Sequence, residues 1–101
     1  MSVLKYDEVT VGDYGFTVTV DVGEDVSGAV AVYVRFRKPG GVFVEKTGTA
    51  STQYISYKTL SGDDLTDTAG LLDVTGKAEW ADRVSVSPKP GRISIVEEGG
   101  Q

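Results

Sequence analysis

Apolar and polar residues alternate along most of this chain, and valine often holds the apolar position. In residues 16–22, one side of the alternation carries the apolar residues Phe16, Val18, Val20 and Val22. The other side carries the polar residues Thr17, Thr19 and Asp21. Successive side chains of a β-strand leave opposite faces of the pleat, so a period of two is typical of a strand with one buried face. This segment is therefore predicted to be a half-buried strand.

The strongest strand signal covers residues 30–37, directly before a turn signal. Its predicted inward side carries Val30, Val32, Val34 and Phe36. Its predicted outward side carries Tyr33, Arg35 and Arg37. The segment Lys38-Pro39-Gly40-Gly41 predicts a hairpin turn, because proline presets φ at the second turn position and glycine supplies a positive φ after it. Residues 42–46 are predicted to return as the partner strand.

Further short strands are predicted on both sides of this hairpin, at residues 3–11, 53–58, 72–80, 83–87 and 92–96. Turn and loop signals separate them at residues 12–15, 23–28, 48–51, 61–68 and 88–91. The loop 61–68 has room for one helical turn. The predicted inward residues of 72–80 are Leu72, Val74, Ala78 and Trp80. Pro88 and Pro90 suit a sheet edge, and residues 97–101 are predicted to be a frayed tail.

This organisation predicts one all-β domain over residues 1–101. Seven or eight short strands with a turn every 8–12 residues, and no amphipathic helix, favour an antiparallel β-sandwich. A small closed β-barrel is the alternative, because the strand pattern alone does not separate the two.

The composition narrows the function classes. The chain has neither cysteine nor histidine, which removes thiol chemistry and the commonest general base and metal ligand. Its net charge of −5 argues against nucleic-acid binding, since phosphate backbones would be repelled. No apolar run approaches the ~20 residues of a membrane span, and residues 1–7 lack the apolar core of a signal peptide. We therefore expect a protein made in the cytosol that has no nucleic-acid or membrane partner.

Carboxylates offer the only candidate ligands for a cation. Asp63, Asp64 and Asp67 cluster after a glycine, but their spacing fits no calcium loop, and aspartate is also favoured in turns and helix caps. Whether this loop holds a cation stays open at this point. Glu24 and Asp25 are interpreted as a solvated hairpin tip. With no facing carboxylate pair singled out and no histidine base, the sequence predicts no enzyme, no cofactor and no metal.

The sequence offers better candidate residues for a binding surface than for an active site. Tyrosine and arginine often dominate interface energetics, so Tyr33, Arg35 and Arg37 are predicted to form an interface, extended by the hairpin Pro39, Gly40 and Gly41. The alternative is a solvated face with cross-strand partners such as Glu45. Trp80 is predicted to fill the core. The aromatics that sugars could stack on are Tyr6, Tyr14, Tyr54 and Tyr57, which are scattered along the chain.

Short motifs in this order resemble small tailed-phage immunoglobulin-like (Ig-like) domains, which are similar to the N-terminal domain of siphophage baseplate upper proteins. The motifs are Ser27-Gly28-Ala29-Val30, Arg37-Lys38-Pro39-Gly40-Gly41, Asp67-Thr68-Ala69-Gly70 and Lys77-Ala78-Glu79-Trp80. The resemblance covers roughly residues 16–96. Leu71 stands where the corner motif of immunoglobulin domains has a tyrosine, so the tyrosine-corner hydrogen bond is not expected.

The resemblance implies an Ig-like sandwich that works as a non-enzymatic structural or adaptor protein of a tailed-bacteriophage virion, in the head, neck, tail or baseplate. It would dock by protein–protein contact with other virion proteins or with itself as a homo-oligomer. The phage family normally continues into a longer protein, so a chain of this length is expected to be a separate virion component. The alternative is a module that binds a glycan or another host-surface ligand through the loop aromatics.

Overall fold

A computed structural model describes residues 8–87 and 91–97 of the protein. These residues form nine strands and one short 3-10 helix. In chain order they are β1 (Glu8–Thr10), β2 (Thr17–Asp21), β3 (Ala31–Arg37), β4 (Phe43–Thr47), β5 (Thr49–Ser51), β6 (Tyr54–Lys58), the 3-10 helix (Ser61–Asp63), β7 (Gly70–Glu79), β8 (Val84–Val86) and β9 (Gly91–Val96). The predicted all-β class and the predicted helical turn in 61–68 are confirmed.

The described strands form two sheets. The large sheet has the order β1-β9-β7-β3-β4, with β8 also paired to β7. The small sheet has the order β2-β6-β5 and is antiparallel throughout. In the large sheet β1 pairs with β9 in parallel, with Glu8 opposite Ser94, so the prediction of a wholly antiparallel fold is wrong for this pair. Local turn signals define only pairings between neighbouring segments, and these two strands lie at opposite ends of the described chain.

One hydrophobic core lies between the two sheets. The small sheet contributes Val18, Val20 and Ile55, and Val22 joins them from the loop that follows β2. The large sheet contributes, among others, Val34, Phe36, Leu72, Val74 and Ile93. All of these residues are buried, as the alternation predicts for one face of each strand. Two facing sheets with a shared core make a sandwich-like arrangement, not a single closed sheet.

A glycine in the middle of β7 lets the sheets approach each other. Gly76 is buried on the inner face, and a Cβ atom placed there would lie 2.6 Å from Cγ2 of Val20 on the small sheet. The same Cβ would lie 3.5 Å from Cδ1 of Ile55. Any side chain at position 76 would therefore push the sheets apart.

A second glycine marks the point where the chain passes from one sheet to the other. Gly48 joins β4 of the large sheet to β5 of the small sheet, and its N–H donates to the carbonyl of Val32 at 3.0 Å. A Cβ there would lie 2.6 Å from Cγ2 of Ile55. The prediction that residues 48–51 are a loop is wrong, because Thr49–Ser51 pair with β6 through the backbone.

The predicted hairpin turn after β3 is confirmed. The Lys38 N–H donates to the Val42 carbonyl at 2.7 Å, and the Gly41 N–H donates to the Lys38 carbonyl at 2.9 Å. Gly40 has φ 96°, a conformation that the third position of a type II turn requires and that glycine adopts without strain.

Two predicted inward residues lie beyond the strands they were assigned to. Val30 precedes β3 and is 74% exposed, although its N–H donates to the Glu79 carbonyl at 2.8 Å. Trp80 follows β7 and is half-buried against the core margin, with the Arg83 guanidinium 3.8 Å from its ring centre. The predicted positions of Pro88, Pro90 and residues 98–101 lie outside the described residues.

The turns group at two opposite ends of the sandwich. The hairpin 38–41 and the loop 59–70 meet at one end, since Lys38 contacts Asp67 across them at 2.8 Å. The loops 22–30 and 80–83 meet at the other end, where Arg83 contacts Glu24 at 2.8 Å. Within the described residues, no helix has the length and apolar character needed to cross a membrane.

Candidate docking surface

The predicted interface residues of β3 do share one face. Tyr33, Arg35 and Arg37 lie on the outer face of the large sheet, because the buried Val34 and Phe36 alternate with them toward the core. Tyr33 and Arg35 are half-buried among neighbouring strands, and Arg37 is exposed. The structure therefore places these three side chains in a single row along the sheet.

The Arg37 end of this row is a cluster of arginines around one carboxylate. Arg37 lies between Phe43 of β4 and Asp73 of β7 in the register, and Arg92 of β9 lies on the far side of Asp73. The Asp73 carboxylate accepts a hydrogen bond from the Arg92 Nε at 2.9 Å and lies 3.8 Å from the Arg37 Nη1. The Arg37 guanidinium also lies 6.0 Å from the Phe43 ring centre. Two guanidinium groups thus share one carboxylate, which leaves a local excess of positive charge.

Charges balance more closely around the middle of the row. Glu45 of β4 lies 3.3 Å from the Arg35 Nε and 3.8 Å from the Lys77 Nζ. The Lys77 ammonium also contacts Glu79 at 3.2 Å and lies 5.7 Å from the Tyr33 ring centre. The cross-strand pair of Arg35 with Glu45, which the alternative of a solvated face expected, is therefore present. These contacts hold the long side chains in place, so less freedom is lost when a partner binds.

A groove separates the hairpin from this face. The hairpin groove has a volume of about 450 Å³, and its lining consists of Arg37, Lys38, Pro39, Gly40, Gly41, Leu71, Asp73 and Arg92. The Pro39 ring lies against the start of β7, since a Cβ at Gly70 would be 3.0 Å from it. The Lys38 ammonium beside Asp67 holds the pKa of that carboxyl below its ordinary value by hydrogen bonding. The hairpin is thus fixed to the sandwich at two points.

Large apolar side chains surround the groove. Phe43 is 65% exposed, and Val42 and Leu71 are also exposed. Exposed aliphatic residues are common singly, but an exposed aromatic ring beside an arginine, here Phe43 beside Arg37, is a combination typical of interfaces.

The outer face of the small sheet is different in kind. Most of its side chains are short and carry a hydroxyl, namely Thr17, Thr19, Thr49, Ser51 and Ser56, and Asp21, Tyr54 and Lys58 share the face with them. Thr19 and Ser56 face each other with their hydroxyl oxygens 3.1 Å apart. Such hydroxyl pairs stabilise the sheet across neighbouring strands and suit a solvated surface.

The acidic loop is held by internal partners. Asp63, whose side chain is only 7% exposed, lies 3.0 Å from the Lys46 ammonium and accepts hydrogen bonds from the Tyr57 hydroxyl and the Leu60 N–H. Burial raises the pKa of this carboxyl, but its three partners lower the pKa by more than burial raises it. The pKa of Asp63 therefore lies below its ordinary value. Asp64 adopts a left-handed backbone as the C-cap of the short helix. In the part of the chain that the structure describes, no group of three or more acidic side chains converges as a metal site would require.

Glu24 and Asp25, which were predicted to form a solvated hairpin tip, both accept hydrogen bonds from other residues of the chain. Glu24 accepts hydrogen bonds from the Arg83 guanidinium and from the Ser85 hydroxyl, both at 2.8 Å, and these lower the pKa of its carboxyl. Asp25 accepts bonds from the N–H and the hydroxyl of Ser27, which likewise lower its pKa. Glu24 is therefore not a freely solvated side chain, whereas Asp25 is exposed as expected.

The tyrosines considered for sugar stacking do not form one strip. Tyr14 is 63% exposed on a turn, and Tyr54 is half-buried on the small sheet. Tyr57 donates to Asp63 and lies edge-on to Phe36, and burial together with the Asp63 carboxylate raises its pKa to about 12. Its ring is thus engaged in internal contacts. Tyr6 lies outside the described residues.

Four residues of this surface were not predicted: Phe43, Leu71, Asp73 and Arg92. The alternation in 42–46 already places Phe43 on the same side as Glu45, so this residue had a readable signal. Asp73 and Arg92 become neighbours only because β9, β7 and β3 lie side by side, an order that the sequence pattern does not specify. Comparison of the chain with protein-family models and with curated proteins finds no match.

Proposed function

We propose that this protein is a non-enzymatic structural or adaptor component of a tailed-bacteriophage virion, with an Ig-like sandwich fold. It is made in the host cytoplasm and docks through the outer face of its large sheet onto a neighbouring virion protein. The observation that carries the proposal is the row of Tyr33, Arg35 and Arg37, with the hairpin groove at its end. The resemblance of the chain motifs to phage Ig-like domains supplies the biological setting.

The composition of the two outer faces supports docking through the large sheet. Aromatic and arginine side chains are concentrated on the large sheet, while the small sheet presents mainly threonine and serine. Most interface residues contribute little binding free energy, but the few hot-spot residues, which are enriched in tyrosine and arginine, cost about 2 kcal/mol or more when they are truncated. Arg35 and Arg37 already contact Glu45 and Asp73, at 3.3 Å and 3.8 Å, before a partner arrives.

Glycan binding through loop aromatics is the less supported alternative. It needs several accessible rings close together, and Tyr57 is engaged with Asp63 and Phe36. Tyr14 is the exposed ring among the three described candidates.

The test is incorporation into particles. A tagged copy of the protein is expressed in trans in cells infected by a phage that encodes it, and the purified virions are analysed by quantitative mass spectrometry. We expect the tagged wild type in the particles and a loss of tenfold or more for the double variant Tyr33→Ala/Arg35→Ala, because tenfold corresponds to about 1.4 kcal/mol and a single hot-spot residue contributes about 2 kcal/mol or more.

The matched control is Thr19→Ala/Ser56→Ala on the outer face of the small sheet, which is expected to be incorporated like the wild type. Absence of the wild-type protein from purified particles would overturn the proposal. Equal loss in the control and in the large-sheet variant would show that this face is not the docking surface.

A further inference from the structure

The large sheet ends at β4, and one side of this strand faces no other strand. Among the described strands, β4 pairs with β3 alone. At the two ends of this pairing, the Lys38 N–H donates to the Val42 carbonyl and the Gly48 N–H donates to the Val32 carbonyl. Hydrogen-bonded and non-hydrogen-bonded pairs alternate along antiparallel strands, so the even-numbered residues of β4 are bonded to β3. The backbone groups of the odd-numbered residues therefore point away from the sheet.

These odd-numbered residues present a row of donors and acceptors, which we call the β4 edge. Phe43, Glu45 and Thr47 each direct one N–H and one C=O to the outer side of the strand. Five residues at about 3.4 Å each give this edge a length of about 17 Å. The backbone of another extended chain can pair with such a row.

The β4 edge has little of the protection that natural edge strands usually carry. Such strands are commonly kept from pairing by proline or by charged side chains, especially lysine, and β4 contains no proline. Its two charged residues have partners within the chain, since Glu45 contacts Arg35 at 3.3 Å and Lys46 contacts Asp63 at 3.0 Å. The described strands β1, β5 and β8 have only three residues each, so they offer a shorter row of backbone groups.

A cavity lies beside the β4 edge on the outer face of the large sheet. Its volume is about 220 Å³, and its lining consists of Arg35, Phe36, Arg37, Phe43, Asp73 and Thr75. Phe43 is the lining residue that belongs to β4, and it is 65% exposed. Pockets for small molecules usually have about 300–1,000 Å³, so this smaller cavity suits a single side chain.

The charges around this cavity are compensated within the chain. Arg35 contacts Glu45 at 3.3 Å, and Arg37 lies 3.8 Å from Asp73. A charged side chain entering the cavity would therefore gain little from either arginine. Aromatic rings, in contrast, pack well against guanidinium planes and against another ring such as that of Phe43. The chemistry of the lining thus favours an apolar or aromatic side chain.

We propose that the β4 edge takes up an extended segment of a neighbouring protein as an added strand of the large sheet. An apolar or aromatic side chain of that segment occupies the cavity beside Phe43. Main-chain hydrogen bonds hold the segment, and the cavity selects its side chain. The inference rests on the proposed function, since it states how the docking face meets its partner.

A second copy of the same edge is a poorer occupant. If two β4 strands overlapped fully around a twofold axis, Phe43 of each copy would lie opposite Thr47 of the other. Glu45 would then lie opposite Glu45 on the same face. Like charges directly opposite each other destabilise a strand pair. We therefore assign the edge to a strand of a different protein and expect the isolated chain not to dimerise through it.

The first test places a proline on the β4 edge. Thr47→Pro removes an N–H that points away from β3 and puts the proline ring in the path of an incoming strand. The hydrogen bonds of β4 to β3 stay intact. Incorporation into particles is measured as for the proposed function. We expect about a tenfold loss relative to Thr47→Ala, which keeps the N–H.

The matched control is the same substitution on an edge of the small sheet. The N–H of Thr19 in β2 also points away from its neighbouring strand, because Val22 and Phe16 are bonded to the segment around β6. Thr19→Pro should be incorporated like the wild type. Circular dichroism and chemical denaturation confirm that both proline variants are folded.

Hydrogen exchange tests the β4 edge without any substitution. It is followed by mass spectrometry with residue resolution, on the isolated protein and on purified particles. The amides of Phe43, Glu45 and Thr47 should exchange fast in the isolated protein and at least about tenfold more slowly in particles, because an added strand bonds them. The amides of Thr17 and Thr19 on the β2 edge should exchange fast in both.

The outcomes separate this inference from the proposed function. Fast exchange of the β4 amides in particles that contain the protein would overturn the inference alone. Equal incorporation of Thr47→Pro and Thr47→Ala, or equal loss in Thr47→Pro and Thr19→Pro, would do the same. A dimer of the isolated chain that Thr47→Pro abolishes would overturn the assignment to a different protein. Absence of the protein from particles would overturn the proposed function itself.

Discussion

The two sheets are alike on their inner faces and unlike on their outer faces. Both bury branched aliphatic side chains, such as Val20 in the small sheet and Val34 in the large sheet. Outside, the large sheet carries tyrosine, arginine and balancing carboxylates, and the small sheet carries mainly threonine and serine. The inner faces meet the same requirement, which is to fill a shared core. The outer faces have no such common requirement, so the two sheets can differ there in residue type.

The largest effect is expected where the two inner faces come closest. Gly76→Val places a branched side chain where even a Cβ would lie 2.6 Å from Val20. We expect the free energy of unfolding to fall by about 3 kcal/mol or more, since overpacking a close contact between sheets is costly. Chemical denaturation monitored by tryptophan fluorescence measures this change.

Thr75→Val is the matched control, because Thr75 is the neighbouring residue on the opposite face of the same strand. Its unfolding free energy should stay within about 0.5 kcal/mol of the wild type. If both variants lost the same stability, the packing of the sheets at Gly76 would not be as tight as described.

A smaller effect is expected where a carboxylate connects the two sheets. Asp63 contacts Lys46 of the large sheet and Tyr57 of the small sheet, so Asp63→Ala removes a bridge between them. We expect a loss of about 1.5–3 kcal/mol at neutral pH, the usual range for hydrogen bonds to a charged group. The Tyr57 pKa, about 12 in the wild type, should fall when followed by ultraviolet absorbance.

The stability contributed by the Asp63 carboxylate should depend on pH. The folded-state pKa of Asp63 is lowered, so its stabilisation is fully present above the unfolded carboxyl pKa of about 3.9 and is lost as the pH falls through the folded value. The stability gap between wild type and Asp63→Ala should therefore shrink in acid. Asp82→Asn, at an exposed position, is the control. A gap that stayed constant down to low pH would contradict the assigned role of the carboxylate.

The smallest effects on stability are expected on the outer faces themselves. Glu45→Ala on the large sheet removes an exposed ion pair, and Thr19→Ala on the small sheet removes a cross-strand hydroxyl contact. Each should change the unfolding free energy by less than about 1 kcal/mol. Incorporation into particles should separate them, because only Glu45 positions a residue of the proposed docking surface. Equal incorporation of the two variants would remove the functional distinction between the faces.

The alternation of residues predicted most of the strands because each buries one face. The hairpin was predictable for a different reason, since Pro39 and Gly40 fix the turn conformation locally. The alternation failed at Thr49–Ser51, where a strand forms through backbone pairing with little apolar signal. It also extended β3 too far at Val30, because periodicity does not show where a chain leaves a sheet.

The position of the proposed docking surface was predictable in part. Alternation placed Tyr33, Arg35 and Arg37 on one outer face, and the structure has them there. The contribution of Asp73 and Arg92 depends on which strands are neighbours, which is set by non-local pairing. The sequence pattern did not predict the contact between Lys46 and Asp63 for the same reason, since the two residues belong to different segments of the chain.

The parallel pairing of β1 with β9 has a consequence for how the chain reaches its native state. Glu8 and Ser94 are separated by most of the described chain, whereas β3 to β6 are joined by short connections. Closing so long a loop carries a larger entropic cost. We therefore expect the β3–β6 region to nucleate folding and the pairing of β1 with β9 to form last. The same ladder should then be the first to exchange its amide hydrogens when the protein is placed in deuterated water.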